Sequence, residues 1–366
     1  MNHEKYMLRA LHLAELGRTS PNPMVGAVLV RDGVVVGEGF HPAAGQPHAE
    51  VYAIADAGQK SAGSTAYVTL EPCCHQGRTP PCTDALIRAG VIEVFIGMLD
   101  PDERVSGKGV DVLRSAGIEV HLLPDMESRC RQLNEAYIKH RTTGLPLVTL
   151  KSAMSLDGRI ATAQGDSKWI TGDKARLYAH KYRAKVDAIM VGAQTVRSDN
   201  PSLTARIGKN TYYPLRIIVT RSGVIPLSSQ VFNQSGEVIV VVAGRCNPEA
   251  VMELEKTSAR ILQITGNNAD ISMRDLMQRL GEMGILSVLV EGGGELAAAC
   301  LKEQVVDKAM FYYAPKIIGG RDAVASVGGL GISNVSQAPR LIKIKRRALG
   351  DDLLVEGHIE YIGNSQ

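Results

Sequence analysis

The chain has little that is aromatic, with one Trp and four Phe among 366 residues. Its cores must therefore rest on Val, Ile, Leu and Ala. It has no surplus of charge either. A net charge of +3 is too small to argue for a nucleic-acid partner and neither supports nor excludes a phosphorylated substrate. No apolar run approaches the roughly 18 residues of a membrane span, so no membrane partner is expected. The opening "MNHEKYMLRALHLAELGR" is charged throughout and lacks the apolar centre of a signal peptide. Cytoplasm is the expected location. The six cysteines do not make a disulfide framework over this length. Cys73, Cys74 and Cys82 cluster, which favours metal binding or catalysis in a reducing compartment. Cys130, Cys246 and Cys300 are scattered and read as small buried hydrophobes.

The length predicts two domains. Met7, Ala10, Leu11 and Ala14 recur at helical spacing, and Gly17 stops that helix. "VGAVLVRDGVVVGEGF" reads as a β-hairpin turning at Asp32-Gly33. A helix from about His48 to Gly58 follows. Strands then alternate with helices up to about residue 125, which predicts an α/β layered domain with a largely covered sheet. "DMESRCRQLNEAYIKHRTTG" reads as one helix ending at Gly144, with Pro146 just beyond. The expected boundary lies there, giving domains 1–144 and 145–366. The strand-helix rhythm then restarts and closes on an antiparallel pair joined by "LGDD". That predicts a second α/β domain with a mixed sheet. No internal repeat or low-complexity tract interrupts either half.

The chemistry concentrates in "TLEPCCHQGRTPPC", residues 69–82, and in "PHAEV" upstream. His48 and Glu50 would point to different faces in mid-helix, so they serve one site only where a chain enters a helix. Pro47 suits such a start. "TPPC" places Cys82 in the first turn of another helix, where thiolate is favoured over thiol. A catalytic zinc takes three protein ligands and a water, and His48 with two cysteines meets that count. Glu50 is the candidate for an unligated carboxylate that carries a proton. This is the H-x-E with P-C logic of zinc nucleobase deaminases. The usual P-C-x-x-C is absent, since Gln76 stands where the second Cys would fall. A structural zinc knuckle built on Cys73, Cys74 and His75 is the competing account.

The whole insert, with "PNPMVG" at 21–26 and "HAE" at 48–50, resembles the deaminase half of the bifunctional riboflavin-biosynthesis deaminase/reductase family. The resemblance implies a cytidine-deaminase-like α/β/α domain. It implies one Zn2+ on His48, Cys73 and Cys82, with Glu50 as the proton shuttle. It places Asn22, His41, Arg78 and Asp100 at the substrate, with Arg78 toward the ribose phosphate. Cys74 matches a position often held by Ser. The family's D-P-N-P is here "DPDE", so Asp102 replaces an Asn and loses its amide donor.

The second half has no G-x-G-x-x-G after its first strand, which argues against a Rossmann domain. "VEGGGELAAACL", residues 290–301, is a strand, a glycine turn and a helix start, an arrangement suited to a dinucleotide phosphate and equally to a tight packing turn. "LKSAMSLDGRIA", "DSKWITG", "VGAQTVRSDNPSLTAR" and "APKIIGG" resemble the reductase half of the same family. That implies a dihydrofolate-reductase-like fold using NADPH. Ala153, Trp169, Thr195, Asp199, Ser222, Gly293 and Gly294 would contact the cofactor. Ser167, Arg183, Leu203, Arg206 and Glu291 would contact the substrate. Lys151, Asp199 and Glu291 lie beside apolar strands, where charge is rarely buried without a partner or a task. They are assigned to the proton-donating region.

The resemblance implies deamination of 2,5-diamino-6-(5-phosphoribosylamino)pyrimidin-4(3H)-one, followed by reduction of the ribosyl chain to ribityl. The partner is then a small phosphoribosyl pyrimidine. Such enzymes are often homo-oligomers, although no interface is legible. An RNA-editing deaminase would need a strongly basic surface and P-C-x-x-C. A non-catalytic binding protein would not need His48, Glu50, Cys73 and Cys82 together.

Overall fold

Asp32 and Gly33 both take positive φ, 53° and 76°. This is the mirror-image turn whose twist matches paired strands, and it closes the hairpin expected there. The computed structural model describes residues 3–76, 80–103, 105–266 and 270–362. It divides into two units, Met1–Gly144 and Leu145–Gln366.

The first unit runs α1 (His3–Ala14), β1 (Gly26–Arg31), β2 (Val34–Phe40), α2 (Ala49–Ala57), β3 (Thr65–Val68), α3 (Cys82–Arg88), β4 (Glu93–Ile96), α4 (Lys108–Ser115), β5 (Glu119–Leu122), α5 (Pro124–Leu133) and α6 (Glu135–Thr143). Its sheet has the order β2-β1-β3-β4-β5. The hairpin pairs are antiparallel, and the β3, β4 and β5 pairs are parallel. With few Phe available, the core is built from Val28, Val68, Ile96, Leu86 and Leu113, around Tyr67 and Phe95 stacked with centroids 5.0 Å apart.

Helix α2 reaches its place because β2 carries no side chain beneath it. A Cβ on Gly37 would fall 2.2 Å from the Ala53 carbonyl oxygen, and one on Gly39 would fall 2.2 Å from that of Ala49. Ala49, Ala53 and Ala57 form the buried stripe of α2. Backbone therefore meets backbone, and the helix carrying Glu50 is set at a fixed depth on the sheet.

The single helix expected before Gly144 is two. Asn134 breaks it at φ −103° and ψ 22°. Its side chain accepts from the Met24 N–H (2.8 Å) and donates to the Met24 carbonyl (2.9 Å). Both backbone groups of half-buried Met24 are satisfied by one amide, which outweighs continuing the helix. Cys246 also departs from expectation. Cys130 and Cys300 are buried, but Cys246 is half-buried in the turn after a strand.

The second unit runs β6 (Leu147–Ser155), β7 (Arg159–Ala161), α7 (Asp173–Arg183), β8 (Ala188–Gly192), α8 (Ala193–Asp199), β9 (Ala205–Ile207), β10 (Asn210–Tyr212), β11 (Leu215–Thr220), β12 (Val238–Ala243), α9 (Pro248–Leu254), β13 (Arg260–Ile264), α10 (Met273–Glu282), β14 (Ser287–Val290), α11 (Gly294–Lys302), β15 (Lys308–Ala314), β16 (Val324–Ala325), β17 (Arg340–Leu349) and β18 (Asp352–Glu360). Nine strands form a mixed sheet in the order β13-β12-β11-β8-β14-β6-β15-β18-β17. The first seven are mutually parallel, β18 runs antiparallel to β15, and β17 runs antiparallel to β18. Alternate residues of the buried strands feed two cores. Met190, Ile217 and Val241 face one, and Ile189, Ile218 and Val240 the other. The chain runs outward from β8 to β13 and then returns, inserting β14 between β8 and β6. Such a switch in winding opens a crevice at the carboxyl ends of the strands, and the Gly292–Gly294 turn follows β14 there.

Gly39→Ala should overpack the interface between α2 and β2 and cost about 1–3 kcal/mol, read as a lower urea midpoint at unchanged slope. An unchanged midpoint would mean that α2 does not rest on the strand at backbone distance.

Candidate functional sites

His48 is the N-cap of α2, and Cys82 is the first residue of α3 with Pro81 before it. Cys73 follows β3 in the intervening loop. The His48 Nδ1 lies 3.2 Å from Cys82 Sγ and 3.5 Å from Cys73 Sγ. The Cys82 N–H points at Cys73 Sγ, 3.4 Å away. One imidazole and two thiol donors thus converge within 4.8 Å of one another. Cys74, the next residue, is not part of this group. The Cys73 thiol is held well below its ordinary range, first by a hydrogen bond from Cys82 and then, against burial, by His48. Cys82 goes up because the two sulfurs share one proton and Cys82 is buried.

Glu50 sits in the first turn of α2 at 3 % exposure. Burial pushes its carboxyl up to about 6, and Cys73 adds to that. Its Oε2 has no hydrogen-bond partner among the described residues. An orphaned carboxylate oxygen beside a histidine and two thiols fits a metal and its water. Two sulfurs and one nitrogen are the donors zinc prefers, with one position left over.

A cavity of about 500 Å3 opens onto this group, and Asn22, His41, His75, Asp100, Tyr137 and Arg141 are among the residues that line it. The His41 Nδ1–H donates to the Pro47 carbonyl (3.0 Å), so its Nε2 accepts from the Asn22 amide (3.1 Å). Burial lowers the His41 pKa, against the Pro47 hydrogen bond, and the ring is neutral. Asp100 accepts from the Tyr137 hydroxyl (3.2 Å) and from the Asp102 N–H (2.9 Å). Burial raises its pKa against both bonds. Arg78 lies outside the described residues. Tyr137 and Arg141 were not singled out from the sequence. Their i,i+4 spacing on α6 was the available signal, but α6 read only as the end of a domain.

In the second unit Glu291 follows β14 at 5 % exposure. Arg183, the last residue of α7, grips it through two bonds, Nε to Oε1 at 2.7 Å and Nη2 to Oε2 at 2.6 Å. Lys151 Nζ, from the middle of β6, lies 3.9 Å from Oε2 and 5.7 Å from the Tyr312 ring centroid. Burial alone would raise the Glu291 pKa, but Arg183 and Lys151 hold it at about 2. Burial lowers the Lys151 pKa, with Glu291 opposing. Arg183 also donates to the Thr204 carbonyl (3.2 Å), beside Leu203 with its φ of 52°. His180, one turn earlier on α7, accepts from the Arg206 N–H (3.2 Å). Burial, then Arg183 and Arg206, lower it to about 4.

Asp199 is placed differently. It is exposed at the end of α8 and accepts from the Ser167 hydroxyl (3.1 Å). Among the described residues no hydrogen bond or ion pair joins it to Lys151 or Glu291. Thr195 Oγ1 accepts from the Gly293 N–H (3.1 Å). A Cβ on Gly292 (φ 92°) would meet the same oxygen at 2.5 Å, so the glycine turn is pressed onto α8. Ala153 lies in β6 beside Tyr312, Gly294 begins α11, and Ser222 lies in the turn after β11. Trp169 is exposed under the Arg176 guanidinium, 4.4 Å from its centroid.

Residues 1–98 match the cytidine and deoxycytidylate deaminase zinc-binding region, and residues 146–355 match the RibD C-terminal domain. Fold and sites thus define a class, a zinc-binding deaminase unit followed by a reductase unit. Riboflavin biosynthesis protein RibD of Synechocystis is 42% identical over 98% of this chain and 97% of its own. RibD of Escherichia coli is 41% identical over 96% and 98%. The solved structure of Acinetobacter baumannii RibD superposes at a TM-score of 0.86, with 37% identity over 98% of this chain and 99% of that one. A Thermotoga maritima structure described as a diaminohydroxyphosphoribosylaminopyrimidine deaminase/5-amino-6-(5-phosphoribosylamino)uracil reductase superposes at 0.85, with 39% identity over the same shares. The chain belongs to the RibD family of bifunctional riboflavin-biosynthesis enzymes, in which a zinc-binding deaminase is joined to an NADPH-using reductase. No helix among the described residues is long and apolar enough to cross a membrane.

Glu291→Ala should leave Arg183 and Lys151 buried without a counter-charge and cost about 3–5 kcal/mol in denaturant unfolding. A loss below about 1 kcal/mol would show that solvent reaches the pair.

Proposed function

We propose that the N-terminal unit removes ammonia hydrolytically from 2,5-diamino-6-(5-phosphoribosylamino)pyrimidin-4(3H)-one. The C-terminal unit then reduces the ribosyl chain of the product, 5-amino-6-(5-phosphoribosylamino)uracil, to ribityl. The observation that carries the first half is the buried Glu50 Oε2, without a hydrogen-bond partner among the described residues, beside His48, Cys73 and Cys82. These three residues would hold zinc, which when bound activates a water as nucleophile. Glu50 accepts that water's proton and returns it to the departing amine, so water enters and ammonia leaves. Asn22 and His41, locked by their chain of hydrogen bonds, orient the pyrimidine. Asp100 forms the facing wall, and Arg78 is assigned to the phosphate. Thiol ligands suit the reducing cytoplasm.

In the second half Lys151 is the proton donor, with Glu291 keeping it in place. NADPH supplies the hydride when bound. Gly293 and Gly294, at the turn into α11, are assigned to the dinucleotide phosphate by their match to family positions, with the Gly293 N–H already donated to Thr195 Oγ1. Ala153, Trp169, Thr195, Asp199 and Ser222 are assigned to the cofactor by their match to family positions. Ser167, Leu203, Arg206 and Arg183 are assigned to the substrate on the same basis. Arg183 has two of its donors committed to Glu291, so Arg206 is the better placed cation for the substrate phosphate.

Glu50→Gln should abolish ammonia release, by at least about 100-fold, while NADPH oxidation on the deaminated intermediate stays at the wild-type rate. Loss of both activities, or of neither, would contradict two separate sites. A Lys151 that must carry its proton predicts a reductase rate that falls as pH rises. Its midpoint should lie below the ordinary 10.5, because burial weakens the hold on that proton. Lys151→Ala should slow hydride transfer at least about 100-fold and spare deamination. A flat alkaline profile with an active Lys151→Ala would remove Lys151 from the role.

A further inference from the structure

Glu71 opens the E-P-C motif two residues before Cys73, yet it is no metal ligand and has so far been given no task. It is 3 % exposed. Its Oε2 accepts from the backbone N–H groups of Asp100 (3.2 Å) and Gly107 (3.0 Å). Its Oε1 accepts from those of Gly109 (2.9 Å) and Val110 (3.3 Å). Four main-chain donors from one distant segment thus close on a single side chain. That segment enters the cavity at Asp100, Asp102 and Val105 and leaves it as the first turn of α4. The fit is close from the other side as well. A Cβ on Gly109 would stand 2.3 Å from the Pro72 carbonyl oxygen and 3.1 Å from Glu71 Oε1, so α4 begins in contact with the loop that carries Cys73.

We propose that Glu71 is a positioning residue of the deaminase site. By holding the N–H groups of Asp100, Gly107, Gly109 and Val110, it fixes the cavity wall that carries Asp100, Asp102 and Val105 to the metal loop. The inference rests on the reading of that cavity as the pyrimidine site. A carboxylate is the side chain the arrangement requires, because both of its oxygens accept and neither needs a donor turned toward an N–H. An amide of the same size offers one accepting oxygen and sets an NH2 against two N–H donors. Those donors are then left buried and unsatisfied, and the wall moves away from the substrate. His48 and Cys82 sit at the starts of α2 and α3, and Cys73 accepts from the Cys82 N–H, so the zinc donors stay.

The test is steady-state deamination by full-length Glu71→Gln, with zinc content measured by elemental analysis and NADPH oxidation on the deaminated intermediate as the control for an intact chain. We expect KM for the diaminopyrimidine to rise at least tenfold, kcat to stay within about threefold, in line with the cost of misplacing a positioning group, and zinc and reductase activity to be unchanged. Gly109→Ala pushes the same wall from the opposite side and should reproduce the KM change. It answers the question should Glu71→Gln fail to fold. A KM within twofold of wild type in a folded variant, a fall in kcat alone, or loss of zinc from the soluble chain would each overturn the proposal. A wild type inactive in deamination would instead refute the reading of the cavity.

Discussion

A carboxylate taken out of water must find compensation, and three buried ones organise both halves of this chain. Glu50, Glu71 and Glu291 are each at most 5 % exposed, and each is compensated differently. Glu291 has cations, Arg183 in a two-bond grip and Lys151 beside it. Glu71 has four backbone N–H groups. Glu50 has one oxygen with no hydrogen-bond partner among the described residues. The first two are settled, so they hold geometry. The third is unsettled, and its carboxyl rises to about 6 under burial. A group whose protonation is poised close to neutral pH is the one able to carry a proton back and forth.

The folds deliver these groups by ordinary means. In the first unit, His48 and Cys82 sit where two chains enter helices, so donors 34 residues apart in sequence meet at one point. The glycines of β2 let α2 sink to backbone contact and fix the depth of Glu50. In the second unit, β14 returns between β8 and β6. Glu291 at the end of β14 therefore meets Lys151 on β6 and Arg183 at the end of α7. The same return places the Gly292–Gly294 turn against Thr195 of α8.

Much of this is legible from the residues alone. The hairpin turn, the alternation of strands and helices, the helix starts at His48 and Cys82, and the mixed second sheet follow from periodicity, Asp-Gly chemistry and proline placement. What escaped depends on partners far away in sequence. Asn134 ends a helix because Met24 needs both of its polar groups satisfied. Tyr137 and Arg141, on the helix after that break, line a cavity with residues as distant in sequence as Asn22 and His41. Glu71 looks like a spacer before a cysteine until the N–H groups it holds are seen. Arg183, expected at the substrate, is also half of an ion pair with Glu291, and Asp199 lies at a solvent-facing helix end with Ser167.

The central claim is that three side chains hold the metal while Glu50 stands beside it unligated. X-ray absorption at the zinc edge of the loaded full-length protein tests this directly. The account predicts two sulfur neighbours at about 2.3 Å, one imidazole nitrogen at about 2.0 Å and one further light atom, unchanged in its sulfur count by Cys74→Ser. A shell of three or four sulfurs, or a sulfur lost with Cys74, would contradict it.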